Sequence, residues 1–307
     1  MSYKDPKGLL EEIKLLVKTK PKSQSAMEYL MTYGWSILII AVVLGALSFL
    51  GIFNSTTFTP KASPGNCQAI KNSGLGVSNL EGACNNQIPE YVAGFNGGSS
   101  QIEISNTRVL PGGSSNRTVT AWAQINTTSS PSADYILFYG NFNTENGIGI
   151  WIGNACGNSN YSVVFDTIGC TTTSATTVQS KTWFFVAAEY NGSTKTIYTG
   201  YDGKMYIANT VISEDTTSGD PLYISSPVGG LFQGYISNVQ IYNVSLSSSS
   251  INALYQEGIG GVPIDPQNLV GWWPLNGNAN DYSGNQNDGI STNVIFTSNW
   301  YGGYTQP

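Results

Sequence analysis

The rhythm of apolar positions divides this chain in two. Residues 29–53, YLMTYGWSILIIAVVLGALSFLGIF, contain no charged side chain. As an α-helix that run spans about 37 Å at 1.5 Å per residue, more than the roughly 30 Å of a bilayer's hydrocarbon core. Downstream the period becomes two. Short alternating or wholly apolar runs recur between Gly, Asn and Ser at 101–104, 118–125, 135–139, 147–152, 161–165, 183–190, 196–201, 204–207, 222–224 and 234–242. Their period and punctuation predict the strands of an antiparallel sandwich. Asp202-Gly203, between two of the runs, predicts a tight hairpin, because both residues tolerate positive φ. One short helix is expected at 248–256, where serines can cap Ile251, Leu254 and Tyr255. Residues 54–90, rich in Gly, Pro, Ser and Asn, read as a spacer.

The charges flanking the long apolar run orient it. Lys4, Lys7, Lys14, Lys18, Lys20 and Lys22 precede it, and no Lys or Arg follows before Lys61. By the positive-inside rule the N-terminus stays cytoplasmic and the remainder lies outside. Tyr29, Tyr33 and Trp35 fall near the cytoplasmic interface, where amphipathic rings belong. The expected arrangement is therefore a single-pass, surface-exposed protein. Ala41 and Gly45 form a small-xxx-small pair that permits close helix approach, a motif common by chance.

Composition narrows the chemistry. Only 10% of the 307 residues are charged, against roughly 25% in an ordinary soluble domain. The net charge is −6 and the lysines cluster at the N-terminus, so no basic patch is left for nucleic acid. The chain has no histidine, which removes imidazole catalysis and histidine metal sites. Its four cysteines, Cys67, Cys84, Cys156 and Cys170, suit two disulfides in an exported chain; Cys67–Cys84 and Cys156–Cys170 is the simplest of three possible connectivities. A four-thiolate zinc site is the rival, but no C-x-x-C spacing is present. Asn-x-Ser/Thr occurs at Asn54, Asn116, Asn126, Asn160, Asn191 and Asn243, six candidate N-glycosylation sites of which some are expected to be used.

The text before the apolar run is distinctive: Lys20-Pro-Lys-Ser-Gln-Ser-Ala-Met-Glu-Tyr-Leu30. It resembles the class III signal peptides of archaeal type IV pilin-like proteins and archaellins. The resemblance implies that a prepilin-type signal peptidase cuts between Ser23 and Gln24 and leaves the helix on the mature chain, although Ser23 replaces the more usual Gly. Glu28 then becomes the fifth mature residue. A carboxylate at the edge of an apolar helix is costly in lipid, and pairing with a neighbouring subunit's α-amine would offset that cost during assembly. The rival reading keeps Glu28 among the headgroups.

The outer region resembles the laminin G-like and concanavalin A-like jelly rolls. The matching pieces stand in family order: Gly94-Phe-Asn-Gly97, Val119-Thr-Ala-Trp122, Thr182-Trp-Phe-Phe-Val-Ala187, Tyr201-Asp-Gly-Lys204, Phe232-Gln-Gly-Tyr-Ile236, Val239-Gln-Ile-Tyr-Asn243 and the turn at 246–255. Gly271-Trp-Trp-Pro-Leu-Asn-Gly277 and Asn280-Asp-Tyr-Ser-Gly-Asn285 usually open such a domain, yet here they close it. Either the sandwich is circularly permuted or a truncated second repeat begins, and the 37 residues after Val270 are too few for a second core. The resemblance implies calcium as the one plausible metal, with Asp281 and Asp288 as oxygen donors. An Asn/Asp-rich turn is the better reading of them, and Asn96, standing where the family often has Asp, weakens calcium further. Jelly-roll glycosidases align carboxylates on one strand face. Glu103, Asp166 and Glu189 are isolated in sequence, so no enzyme and no required cofactor are expected.

The expected chain thus comprises a leader (1–23), an apolar helix (24–53), a spacer (54–90) and a mainly β concanavalin A-like sandwich (91–307). The expected function is that of a pilin-like filament or adhesion subunit, with partners in the membrane, in copies of itself or other pilin-like subunits, and in a surface glycan. The alternative is a membrane-anchored binding protein that does not polymerise.

Overall fold

A computed structural model describes residues 22–49, 88–126, 133–141, 146–153, 161–166, 173–211, 215–217, 219–226 and 230–307. The chain falls into two compact units that divide between Thr59 and Pro60.

Among the described residues, the first unit is helix α1, Lys22–Phe49. Its side chains are described at positions 31 and 33–46, a stretch of about 24 Å. Met31, Tyr33, Trp35, Ile37, Leu38, Ile39, Ile40, Val42, Val43 and Leu44 are each 48–68% exposed. Consecutive positions point to every side of a helix, so α1 has no polar face over this stretch. Among the described residues no helix is long and apolar enough to cross a membrane. The bilayer-length span expected at 29–53 is therefore not shown.

The second unit is a sandwich of two antiparallel sheets. The larger sheet contains β1 (Val92–Asn96), β3 (Arg117–Ile125), β8 (Trp183–Tyr190), β9 (Thr194–Tyr201), β10 (Lys204–Val211), β12 (Gln233–Tyr242), β13 (Leu269–Trp273) and β15 (Ile295–Thr297). They run in the order β10-β9-β8-β3-β12-β1-β15, with β13 also paired to β12. The smaller sheet contains β2 (Gln101–Ile104), β4 (Asp134–Asn141), β5 (Asn146–Gly153), β6 (Ser162–Phe165), β7 (Thr173–Thr177), β11 (Leu222–Ile224) and β14 (Ile290–Thr292). Its order is β14-β2-β11-β4-β5-β6-β7. Asp202 and Gly203 take φ of 50° and 69° between β9 and β10, the hairpin expected from their sequence.

Strand β12 organises the larger sheet. One edge pairs β3 along most of its length; the other holds β1 and β13 end to end, through Gln233–Ile236 and Val239–Tyr242 respectively. The changeover falls at Asn238, whose φ is 50°, and the register with β3 shifts there. The Asn238 N–H leaves the ladder and donates to the Pro274 carbonyl at 3.1 Å. Its side chain starts a buried polar chain. Asn238 Nδ2 donates to the Gly261 carbonyl at 2.8 Å, while Oδ1 accepts from Trp272 Nε1 at 2.8 Å and Gln240 Nε2 at 3.0 Å. The Tyr242 hydroxyl donates to Gln240 Oε1 at 2.6 Å.

The C-terminal segment is woven into both sheets: β13 on β12, β14 on β2, β15 on β1. Trp272, Trp273 and Leu275 are buried. The space between the sheets is filled largely by aliphatic side chains, among them Ile104, Val119, Ile150, Val186, Leu222 and Ile236. A second core covers the outer face of the larger sheet. Helix α2, Ser248–Gln256, is capped by Ser247 Oγ accepting from Ser250 N. It lays Ile251, Leu254 and Tyr255 against Trp122, Phe185 and Tyr198. Their i, i+3, i+4 spacing is what puts them on one helix face.

Candidate functional site

Strands β8, β3 and β12 lie side by side, and one end of this trio carries aromatic residues on the outer face. Trp183 opens β8, Gln124 lies opposite it on β3, and Tyr235 lies opposite Gln124 on β12. The Trp183 and Tyr235 rings stack across Gln124, with centroids 6.3 Å apart and planes at 21°. Next to Tyr235 is Gly94 of β1. A β-carbon at Gly94 would sit 3.0 Å from the Ile295 carbonyl and 3.3 Å from the Tyr235 ring, so a residue without a side chain lets that ring lie flat across the strand.

The C-terminal tail completes the group. Trp183 Nε1 donates to the Trp300 carbonyl at 3.0 Å, and the Trp183 backbone N–H donates to Gly303. Gln124 Nε2 donates to the Gly302 carbonyl at 2.5 Å. Trp300 meets Trp183 edge-on at 5.7 Å, and Tyr301 stacks on Trp300 at 4.4 Å and 20°. Trp183 and Trp300 are buried, Tyr235 is half-buried, and Tyr301 is 53% exposed. Tyr304 packs, partly exposed, edge-on against Trp300, while Tyr282 packs against Trp272 of β13. Such rings present flat apolar faces beside hydroxyls, which suits a ligand that is apolar on one face and polar at its edges.

The loop thought to hold calcium is built as a turn. Asp281 Oδ1 accepts from the backbone N–H groups of Trp272 and Ser283. Its Oδ2 accepts from Ser283 Oγ and Asn287 N. Asp288 Oδ1 accepts from Asp281 N. With both Asp281 oxygens facing donor hydrogens, this donor set does not fit a cation. Asn96 behaves alike: its Oδ1 accepts from Gly98 N, Ser99 N, Ser100 N and Ser100 Oγ. Among the described residues no three of His, Cys, Asp and Glu are grouped as metal ligands.

The carboxylates isolated in sequence acquire partners in the fold. Asp166 meets Lys195 at 3.2 Å, and that ammonium also lies 5.4 Å from the Phe165 ring centre. Glu189 accepts from the hydroxyls of Tyr198 and Ser245. Ser105 donates to Glu103 at 3.0 Å. Asp134 lies opposite Ile152, an inward core residue, and its buried Oδ2 has no hydrogen-bond partner among the described residues. Burial raises its pKa from 3.8 to about 6.

Asn116, Asn191 and Asn243 are exposed, and Asn126 is half-buried. Cys67, Cys84, Cys156, Cys170, Asn54 and Asn160 lie outside the described residues, as does the leader before Lys22. Ser23, Gln24 and Glu28 fall on the backbone of α1, with side chains outside the description. The aromatic rim does not declare itself as a site in the sequence. The run Trp300-Tyr-Gly-Gly-Tyr304 was the available signal, since aromatic residues alternating with Gly suit a short folded strap.

The family model of the concanavalin A-like lectin/glucanases superfamily matches residues 96–252, just over half the chain. No curated protein matches. Among solved structures, a Bacteroides ovatus protein described as carbohydrate-binding aligns with TM-score 0.49 and 19% identity, over 68% of this chain and 60% of that one. The heptameric pentraxin of Limulus polyphemus aligns with TM-score 0.48 and 14% identity, over 67% of this chain and 94% of that one. Domains LG4-5 of the mouse laminin α1 chain align with TM-score 0.35 and 12% identity, over 51% and 42% of the two chains. The family match coincides with the two-sheet sandwich from the end of β1 into α2, and on that ground the chain belongs to the concanavalin A-like lectin/glucanases superfamily through a laminin G-like domain.

Proposed function

We propose that this is a cell-surface adhesion subunit that displays a glycan-binding, non-enzymatic sandwich and assembles through its N-terminal helix in the manner of a type IV pilin. One observation carries the reading: α1 is apolar on all sides and its described apolar side chains are all exposed. Such a helix needs apolar surroundings on every face. Lipid supplies them before assembly, and copies of the same helix supply them afterwards. Cleavage between Ser23 and Gln24 by a prepilin-type peptidase and pairing of Glu28 with a neighbour's α-amine belong to the same proposal. So does a circularly permuted strand order, which is supported by C-terminal strands that lie outside the family match yet inside both sheets.

The glycan is assigned to the aromatic rim of Tyr301, Tyr235, Trp183 and Trp300. Aromatic stacking contributes about 0.5–1.5 kcal/mol, so Tyr301→Ala and Tyr235→Ala should each weaken glycan binding roughly two- to tenfold without unfolding the domain. The test is twofold. Filaments sheared from native cells should contain this chain, beginning at Gln24, and the detergent-solubilised protein should retain a glycan on an array through its tyrosines. Filaments without the chain would sink the assembly reading. Unchanged retention by both tyrosine variants would sink the assignment of the rim.

A further inference from the structure

The ends of the β8–β3–β12 trio differ in kind. Trp183, Gln124 and Tyr235 form the aromatic end. At the opposite end, Tyr190 lies opposite Arg117 and Thr118 lies opposite Tyr242. Asn191, Asn116 and Asn243 therefore gather there, each one residue beyond or before its strand. An eight-residue strand separates the two ends by about 25 Å.

These three sequons are not equivalent in the folded domain. Recognition of Asn-x-Ser/Thr uses the hydroxyl two residues after the asparagine as well as the carboxamide. After Asn116 that residue is Thr118, which is buried. Its hydroxyl donates to the Val244 carbonyl at 2.9 Å and accepts from Leu246 N at 2.9 Å. After Asn243 it is Ser245, whose hydroxyl donates to Glu189 Oε1. Both hydroxyls are occupied in holding α2 and its approach to the sheet.

Asn191-Gly192-Ser193 is different. All three residues are exposed, on the turn between β8 and β9. Asn191 Oδ1 accepts from Ser193 N at 3.3 Å, from Ser193 Oγ at 3.2 Å and from Thr194 N at 2.9 Å. With three donors on the oxygen, the amide nitrogen Nδ2 has no hydrogen bond among the described residues, and Asn191 itself is exposed. The sequon hydroxyl thus already touches the carboxamide it must serve, and among the described residues it makes no hydrogen bond to a distant part of the fold.

We propose that, of these three sequons, Asn191 is the one the folded domain presents as an N-glycan acceptor, and that Asn116 and Asn243 can be modified only before the sandwich closes. The glycosyl donor is a sugar carried on a lipid phosphate. Nδ2 forms a bond to the anomeric carbon and gives up one proton. The bond from that carbon to the phosphate oxygen breaks, and the lipid phosphate leaves with the electron pair. In the cell this step requires the export proposed above. The geometry of the turn does not depend on it. A glycan at Asn191 projects from the end remote from the aromatic rim, so it leaves that rim uncovered.

The test is run on the purified, folded full-length chain, incubated with oligosaccharyltransferase membranes and lipid-linked oligosaccharide, and read by glycopeptide mass. The glycan mass should appear on the peptide containing Asn191 and on no peptide containing Asn116 or Asn243. It should vanish in Asn191→Gln and Ser193→Ala and persist in Ser193→Thr. Unfolding the chain in urea before brief exposure to the membranes should add Asn116 or Asn243. An unmodified Asn191 in the folded chain, or modification of Asn116 ahead of it, would overturn the proposal. Surface protease treatment of intact cells reports separately on export, so an intracellular chain that is modified in vitro would refute only the localisation.

Discussion

The two faces of the larger sheet are packed on different principles. The inner face is mostly aliphatic, with Val119, Ala121, Val186, Ile197 and Ile236 meeting the opposite sheet. Volume is nearly all that such side chains contribute. The outer face is aromatic, with Trp122, Trp183, Phe185, Tyr198, Tyr242 and Trp272. Several of these rings hold a polar partner: Trp183 the Trp300 carbonyl, Trp272 Asn238, Tyr242 Gln240, and Tyr198 Glu189. The inner face is covered by a whole sheet. The outer face is sealed by α2 and by pieces of the fifty or so residues that follow it, each held by a few directional bonds. The difference teaches where this domain is vulnerable: the outer face depends on chain that could be removed without touching the family-matched region.

Three experiments probe the comparison, in order of expected effect. Truncation after Pro266 removes β13, Trp272, Trp273 and the Trp300 strap together. Each large buried side chain contributes about 1.5–3 kcal/mol, and several exceed a typical stability of about 5–15 kcal/mol. The truncated chain should be insoluble or should lose its near-ultraviolet circular dichroism. If it melts cooperatively at the temperature of the intact chain, the C-terminal segment is an appendage. Second, Asn238→Ala leaves Trp272 Nε1 and the Gly261 carbonyl buried without their partner. Urea unfolding should show a loss of about 2–4 kcal/mol, against about 0.5–1.5 kcal/mol for the inner-face control Ile236→Val. Equal losses would erase the distinction between the faces.

The third experiment addresses Asp134, a carboxyl that meets the same aliphatic core from the smaller sheet. Its folded pKa of about 6 lies above the unfolded value of 3.8, with desolvation as the cause. Between those values the native state binds the extra proton, so this group's contribution is fully present below about pH 4 and is lost as pH rises through about 6. The expected loss is about 1–3 kcal/mol. Asp134→Asn should flatten this part of the stability–pH curve. A wild-type curve that rises from pH 4 to 6 would show that Asp134 is not the group in control.

Much of this architecture was legible in the sequence, because period-two runs and turn residues act locally. The runs at 101–104, 183–190 and 222–224 coincide with strands, and the helix at 248–256 coincides with α2. Strand β7, Thr-Ser-Ala-Thr-Thr, has no large apolar residue and gives no periodic signal. Strand β1 is masked by Gly94 and Asn96, which read as a turn until β12 and β15 flank them. The candidate site was less legible, since Trp183 and Tyr235 become neighbours only through Gln124 on a third strand. Likewise, nothing near Asp166 announces Lys195. The three sequons at one end are equally apparent in sequence, yet their hydroxyls differ because Thr118 and Ser245 are consumed by contacts with distant residues.

The pairing of β1 with β15, Val92 opposite Thr297, sets the timing of folding. At about 5–20 residues per second of synthesis, β15 emerges some 10–40 s after β1. Throughout that interval β1 lacks both its neighbours in the sheet until β12 is made, and one of them until the end. Contacts of such long sequence separation also form slowly. The chain truncated after Pro266 is in effect the nascent polypeptide just before this closure. A domain built this way stays open while it is made, which is the condition in which a polypeptide can be threaded through a narrow pore.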